Sequence, residues 1–150
     1  MAARFVLLSD VFYKKYPNNL FPEIEYKNDR PYLVFIIDTE CGRFAIPLRS
    51  YIRHQEAFFT KPNAICGLDY TKAIFISDIS YILCDSNPEI NNDEFKKINE
   101  NINMIKREFV AYLRRYMKSV VRGAFDYDPI CKFSTLQYFH KELGLPEKHS

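Results

Sequence analysis

Tyr32-Leu33-Val34-Phe35-Ile36-Ile37, followed by the turn Thr39-Glu40-Cys41-Gly42 and the return Arg43-Phe44-Ala45-Ile46-Pro47-Leu48, reads as a β-hairpin. The first run is β-branched and aromatic and too short for a helix, as expected of a buried strand. Gly42 supplies the turn. Pro47 lacks an N–H and is expected at a sheet edge or strand end. Working outward, Phe5-Val6-Leu7-Leu8, Ala73-Ile74-Phe75-Ile76 and Ser80-Tyr81-Ile82-Leu83 read as further short strands. Ser9 and Asp10 are placed to cap a helical turn over Val11, Phe12 and Tyr13. Residues 16–31 are rich in Asn, Pro and charge and read as a loop. Residues 49–72 read as a long polar connection, a feature that in compact domains usually carries function.

The last third reads as helix. Phe95, Ile98, Ile102, Ile105, Phe109, Leu113, Tyr116 and Val120 follow three- and four-residue steps, one stripe of a single helix from Asp93 to about Arg122 that Gly123 stops. A final helix is expected from Thr135 to Leu143, with Ser134 as cap, Gln137 completing a capping box and Gly144 ending it.

Composition bounds the class. The chain has 150 residues, 47% of them hydrophobic and 27% charged, with a formal net charge of +2. That length fits one domain, able to bury roughly 70% of its unfolded surface, and the hydrophobic content excludes intrinsic disorder. No apolar run approaches the ~18 residues of a membrane span. Met1 to Asp10 has too short an apolar core for a secretory signal, so a soluble, cytoplasmic domain with no membrane partner is expected. Cys41, Cys66, Cys84 and Cys131 form no CxxC pair and are expected as buried thiols.

Charge is segregated. Residues 43–61 carry Arg43, Arg49, Arg53 and Lys61 against Glu56, and residues 106–122 carry Lys106, Arg107, Arg114, Arg115, Lys118 and Arg122 against Glu108. Residues 85–100 are predominantly acidic. The basic side chains late in the helix fit either pairing with acidic neighbours and the helix C-terminus or binding a polyanion.

No phosphate-cradling glycine loop, HExxH, clustered metal ligands or GxSxG elbow is encoded. An enzyme built on this chain would work with side chains alone, without metal or cofactor. The informative segment is Pro47-Leu48-Arg49-Ser50-Tyr51-Ile52-Arg53-His54, where a strand ends and a hydroxyl, two guanidinium groups and an imidazole follow. Metal-free RNA cleavage needs such parts: groups to move protons, and cations to hold the phosphate and its developing charge. The same residues also fit a polar loop in which Ser50 caps a turn, Arg49 pairs with Asp29 or Glu40, and His54 is simply exposed.

Tyr26, Arg30 and the corner Ala45-Ile46-Pro47-Leu48-Arg49-Ser50, together with Gly67-Leu68-Asp69-Tyr70-Thr71-Lys72-Ala73, resemble the toxins of type III toxin–antitoxin systems, the ToxN, CptN and TenpN group. The resemblance covers nearly the whole chain and is strongest to the CptN/TenpN branch. It departs from the ToxN branch at Arg49, where a Thr is usual, and at Tyr51-Ile52-Arg53, where Pro-Lys follows the Ser. It implies an α+β fold, an SH3-like, Kid/MazF-type twisted antiparallel β-barrel with a long late helix and a short C-terminal helix. It implies a sequence-selective endoribonuclease that leaves 2′,3′-cyclic phosphate and 5′-hydroxyl ends. Its partner would be an antitoxin RNA of pseudoknot-like repeat units, which it cuts from a precursor and which holds it in a closed assembly, with cellular RNA as substrate and growth arrest or phage defence as the outcome.

On this basis Ser50, Arg49, Arg30 and His54 are the expected catalytic set, the His54 assignment resting on chemistry alone. Tyr26, Tyr51, Arg53, Lys61, Lys72, Tyr112, Arg114, Arg115, Lys118 and Arg122 are the expected RNA contacts. The competing reading is a non-catalytic SH3-like module that binds RNA or DNA through the same basic segments. A binder spreads its cations along a strand path, whereas an enzyme converges several polar groups on one phosphate.

Overall fold

A computed structural model describes residues 3–24, 33–83 and 88–147. Tyr26, Arg30 and Cys84 lie outside the described residues, as do Tyr32 and Asp85. The fold is α+β. Among the described residues seven strands form one antiparallel sheet: β1 (Phe5–Leu8), β2 (Leu33–Thr39), β3 (Gly42–Arg49), β4 (Ala57–Lys61), β5 (Cys66–Asp69), β6 (Ile74–Phe75) and β7 (Ile82–Leu83). Their order is β4-β5-β3-β2-β1-β7, with β6 paired to β3, and among the described residues the ladder does not close on itself. The helices are α1 (Asp10–Lys15), α2 (Asn92–Glu100), α3 (Ile102–Val121), α4 (Pro129–Lys132) and α5 (His140–Leu143).

The hairpin is central. β2 and β3 pair from Val34 with Pro47 through Thr39 with Gly42. Side chains alternate between the faces of a strand, so Phe35, Ile37, Phe44 and Ile46 enter one core with α3, while Val34, Ile36 and Ala45 enter a second core with Phe12 of α1 and Phe139. Burial on both faces is why this run is apolar at every position. α3 contributes Phe109, Tyr112, Leu113 and Tyr116, all 1% exposed or less. The two buried tyrosine hydroxyls are satisfied: Tyr112 donates to Ser134 Oγ at 2.8 Å, and Tyr116 meets His140 Nε2 at 2.6 Å.

Several expectations are corrected. Pro47 is buried inside β3 and not at an edge. One side of β3 pairs with β6 at Phe44 and Ala45 and with β5 at Leu48 and Arg49; the gap between these ladders is where a residue without an N–H fits. The connection 49–72 contains β4 and β5. β5 passes so close to β4 that a Cβ on Gly67 would lie 2.1 Å from the Phe58 carbonyl oxygen, so its packing requires glycine there. The long helix is broken at Asn101, whose side-chain amide donates to the Lys97 carbonyl at 2.7 Å and competes with the helical ladder. The apolar stripe survives, because the break occupies one residue.

The C-terminal helix is instead a 3-10 turn, Thr135–Tyr138, followed by α5. Ser134 caps the turn through Leu136 N–H. Gln137 donates through its amide nitrogen to the Lys132 and Ser134 carbonyls. Gly144 ends α5 at φ 69, the left-handed conformation expected of it. Cys131 is buried, but Cys41, at the hairpin tip, is exposed and Cys66 is partly exposed. Among the described residues no helix is long and apolar enough to cross a membrane.

Candidate functional site

Asp69 organises the site. It ends β5, its side chain has no solvent exposure, and it accepts hydrogen bonds from three directions. Arg49 Nη1 donates to Oδ2 at 2.6 Å. His54 Nε2 lies 3.1 Å from Oδ1. Thr71 donates to Oδ1 from its backbone N–H at 3.0 Å and its hydroxyl at 2.6 Å. Register explains the first contact: Arg49 lies opposite Gly67, which puts Asp69, two residues on, diagonally across on the same face. Burial pushes the Asp69 carboxyl up, but hydrogen bonds from His54, Thr71 and Arg49 outweigh it and hold it below the usual carboxylate range.

The chain reaches His54 by a sharp turn. Tyr51 takes a left-handed conformation, φ 57, with its ring 74% exposed. That reversal sends Ile52 into the interior, where its N–H bonds the Ile65 carbonyl at 2.9 Å. The His54 ring then closes over Asp69. The Glu56 backbone N–H donates to His54 Nδ1 at 3.0 Å, so that nitrogen carries no proton and the ring hydrogen sits on Nε2, directed at Asp69. Both ring nitrogens are engaged.

A groove of about 370 Å³ opens beside this network. It is lined by Glu23, Arg49, His54, Glu56, Thr71 and Lys72 together with Arg115 of α3 and Pro129, Ile130 and Phe133. Each cation is held by a carboxylate: Arg49 by Asp69, Lys72 by Glu23 at 2.9 Å, and Arg115 by Glu56 at 2.8 Å. Glu56 Oε1 accepts from Arg115 Nη1 at 3.0 Å. Its Oε2 is shielded from solvent and, among the described residues, has no aligned hydrogen-bond donor, although Arg115 Nη2 is near. The groove therefore holds three cations, each beside a carboxylate, and an apolar wall that includes Phe133, 61% exposed.

The structure brings Arg49, His54, Lys72 and Arg115 together. Arg49 pairs with the buried Asp69, and Asp29 lies outside the described residues. Ser50 is exposed and outside the groove lining, where its hydroxyl accepts a weak contact from the Cys66 thiol at 3.6 Å. Tyr51 and Arg53 are exposed near the same corner. Lys61 pairs with Glu94 at 3.6 Å. Arg114 points to a separate surface with Lys106 and Arg107, while Lys118 and Arg122 share a second groove with Arg115. Tyr112 is corrected: fully buried and bonded to Ser134, it has no face to offer a base.

Asp69 and Glu56 went unassigned in the sequence. Asp69 and Thr71 lie in the Gly67–Ala73 run that carries the family resemblance, and their spacing is an Asx turn, the one local signal that marked them. Among the described residues no group of three or more His, Cys, Asp or Glu is arranged to hold a metal ion. No family model, curated protein or solved structure matches the chain.

Proposed function

We propose that this protein is a metal-independent, sequence-selective endoribonuclease of the type III toxin kind, with its open, twisted sheet corresponding to an SH3-like barrel. The observation that carries the reading is convergence: a guanidinium, an ammonium, an imidazole and a carboxylate from three separate segments, Arg49, His54 with Glu56, and Lys72, face one groove with an apolar wall. That is the arrangement expected for an enzyme acting on one phosphate, not for cations spread along a path. In this reading Arg49 and Lys72 hold the scissile phosphate and offset its developing charge. Glu56, whose carboxylate lines the groove, takes the proton from the 2′-hydroxyl. His54, with both nitrogens engaged, positions Asp69 and, through it, Arg49. Ser50 and Tyr51, exposed at the corner, contact the flanking nucleotides. The products are a 2′,3′-cyclic phosphate and a 5′-hydroxyl, and the partner is a structured antitoxin RNA encoded as short tandem repeats. The setting is the cytoplasm, with growth arrest as the outcome.

The test is cleavage of end-labelled single-stranded RNA by the purified protein and by Lys72→Met. Discrete cleavage, reduced at least a hundredfold in the variant, is the size of loss expected for a well-placed charge donor. Equal cleavage by both proteins, or none by the wild type, overturns the reading. A second reading, a non-catalytic RNA-binding module, is favoured by one observation, that each groove cation is already paired with a carboxylate. It predicts binding without cleavage.

A further inference from the structure

Two grooves meet on the α3–α4 side of the molecule. The candidate site and its neighbour share Arg115 and Ile130, so they form one continuous depression. Along its far half run Lys118 and Arg122, three and seven residues after Arg115 and so on one stripe of α3. From Arg115 to Arg122 this stripe extends about 10 Å along the helix axis. Among the described residues Lys118 and Arg122 have no carboxylate partner, unlike the cations of the candidate site. Asp128 also lines this half, but its carboxylate is occupied by the Ser119 hydroxyl at 2.6 Å and the Ile130 N–H at 3.1 Å. Each half carries an exposed aromatic residue, Phe133 at 61% exposure in the candidate site and Tyr127 at 75% in its neighbour.

From this placement we infer that the depression is a track for single-stranded RNA, leading from the candidate site along α3 to Tyr127. Uncompensated cations supply sequence-independent attraction for phosphates. Exposed rings stack on bases only where those bases are unpaired, which selects a single strand over a duplex. The track deepens the ribonuclease reading by naming how the substrate strand leaves the reacting phosphate. It rests on that reading for the choice of RNA over another polyanion.

The experiment measures binding of a 2′-O-methyl oligouridine of about a dozen nucleotides, a length within the usual range for single-strand sites. The probe lacks the 2′-hydroxyl nucleophile, so binding is read independently of cleavage. Affinity is followed by fluorescence anisotropy across a salt series for the full chain, Tyr127→Ala, Phe133→Ala and the double variant Lys118→Gln/Arg122→Gln, each checked for fold by circular dichroism. Each aromatic variant is expected to weaken binding at least fivefold. Removing both cations lowers the slope of log affinity against log salt by about 1.4, from ~0.7 per phosphate on a single strand. An unchanged slope, unchanged affinity in both aromatic variants, equal affinity for a duplex of the same length, or displacement of the probe by an acidic peptide at matched charge overturns the track. RNA cleavage with no change in binding removes the track and leaves the nuclease. Binding changes as described with no RNA cleavage remove the nuclease and leave the track.

Discussion

Replacing Asp69 by Asn tests the organising role of the buried carboxylate. The substitution keeps shape and removes charge. Asp69 has no solvent exposure and its partner Arg49 is 20% exposed, so the guanidinium loses this carboxylate while mostly out of water. The new amide also meets four donor groups with one acceptor oxygen. With its oxygen toward Thr71 and His54, its NH₂ confronts Arg49 Nη1 across the present 2.6 Å contact. Breaking one side of a buried ion pair costs about 3–5 kcal/mol, which for a chain of this length lowers the melting temperature by about 6–20 °C. The assay is thermal unfolding by circular dichroism in a double-mutant cycle with Arg49→Met. Coupling of about 2 kcal/mol is expected, within the range for residues in one network. A melting shift below about 2 °C for Asp69→Asn, or additivity within ~0.5 kcal/mol in the double variant, would refute the claim that this pair organises the site.

The remaining predictions concern acid stability, packing and proton transfer. Asp69 titrates lower in the folded chain than its unfolded value of about 3.9, so its contribution is fully present above that pH and is lost as pH falls through the folded value. Acid unfolding followed by circular dichroism is therefore expected to be shallower below about pH 4 in Asp69→Asn; parallel curves would contradict this. Gly67→Ala forces β4 and β5 apart, and a loss of about 1–3 kcal/mol in urea unfolding is expected, whereas wild-type stability would show that the strands part freely. RNA cleavage is expected to fall at least about a hundredfold in Glu56→Gln and to keep most of its rate in His54→Gln. The reverse pattern would return proton transfer to the imidazole.

The hairpin was legible because its chemistry is local: an apolar run, a glycine turn and a second run. The α3 stripe was legible for the same reason, since Phe109, Leu113, Tyr116 and Val120 repeat with helical period. β4 and β5 were hidden because the apolar part of β4 lies between the polar Gln55-Glu56 and Lys61, and β5 carries Gly67, a weak strand residue required here by the approach of another strand. The helix break at Asn101 depends on one side chain choosing a backbone carbonyl, which composition does not disclose. Arg49 and His54 were singled out by type and position, but their partner Asp69 lies 20 residues from Arg49 and meets it only through the β3–β5 register. Tyr112 was misread because a tyrosine beside arginines looks like a base-stacking surface, while the helical phase turns its ring inward.

The central claim is tested most directly by the ends of RNA cut by the purified protein in EDTA. Mass spectrometry of fragments from a single-stranded substrate is predicted to show 2′,3′-cyclic phosphate and 5′-hydroxyl termini, with cleavage undiminished by the chelator and lost in Lys72→Met. Intact RNA, 3′-hydroxyl termini, or cleavage abolished by EDTA would contradict a groove that acts through its own side chains.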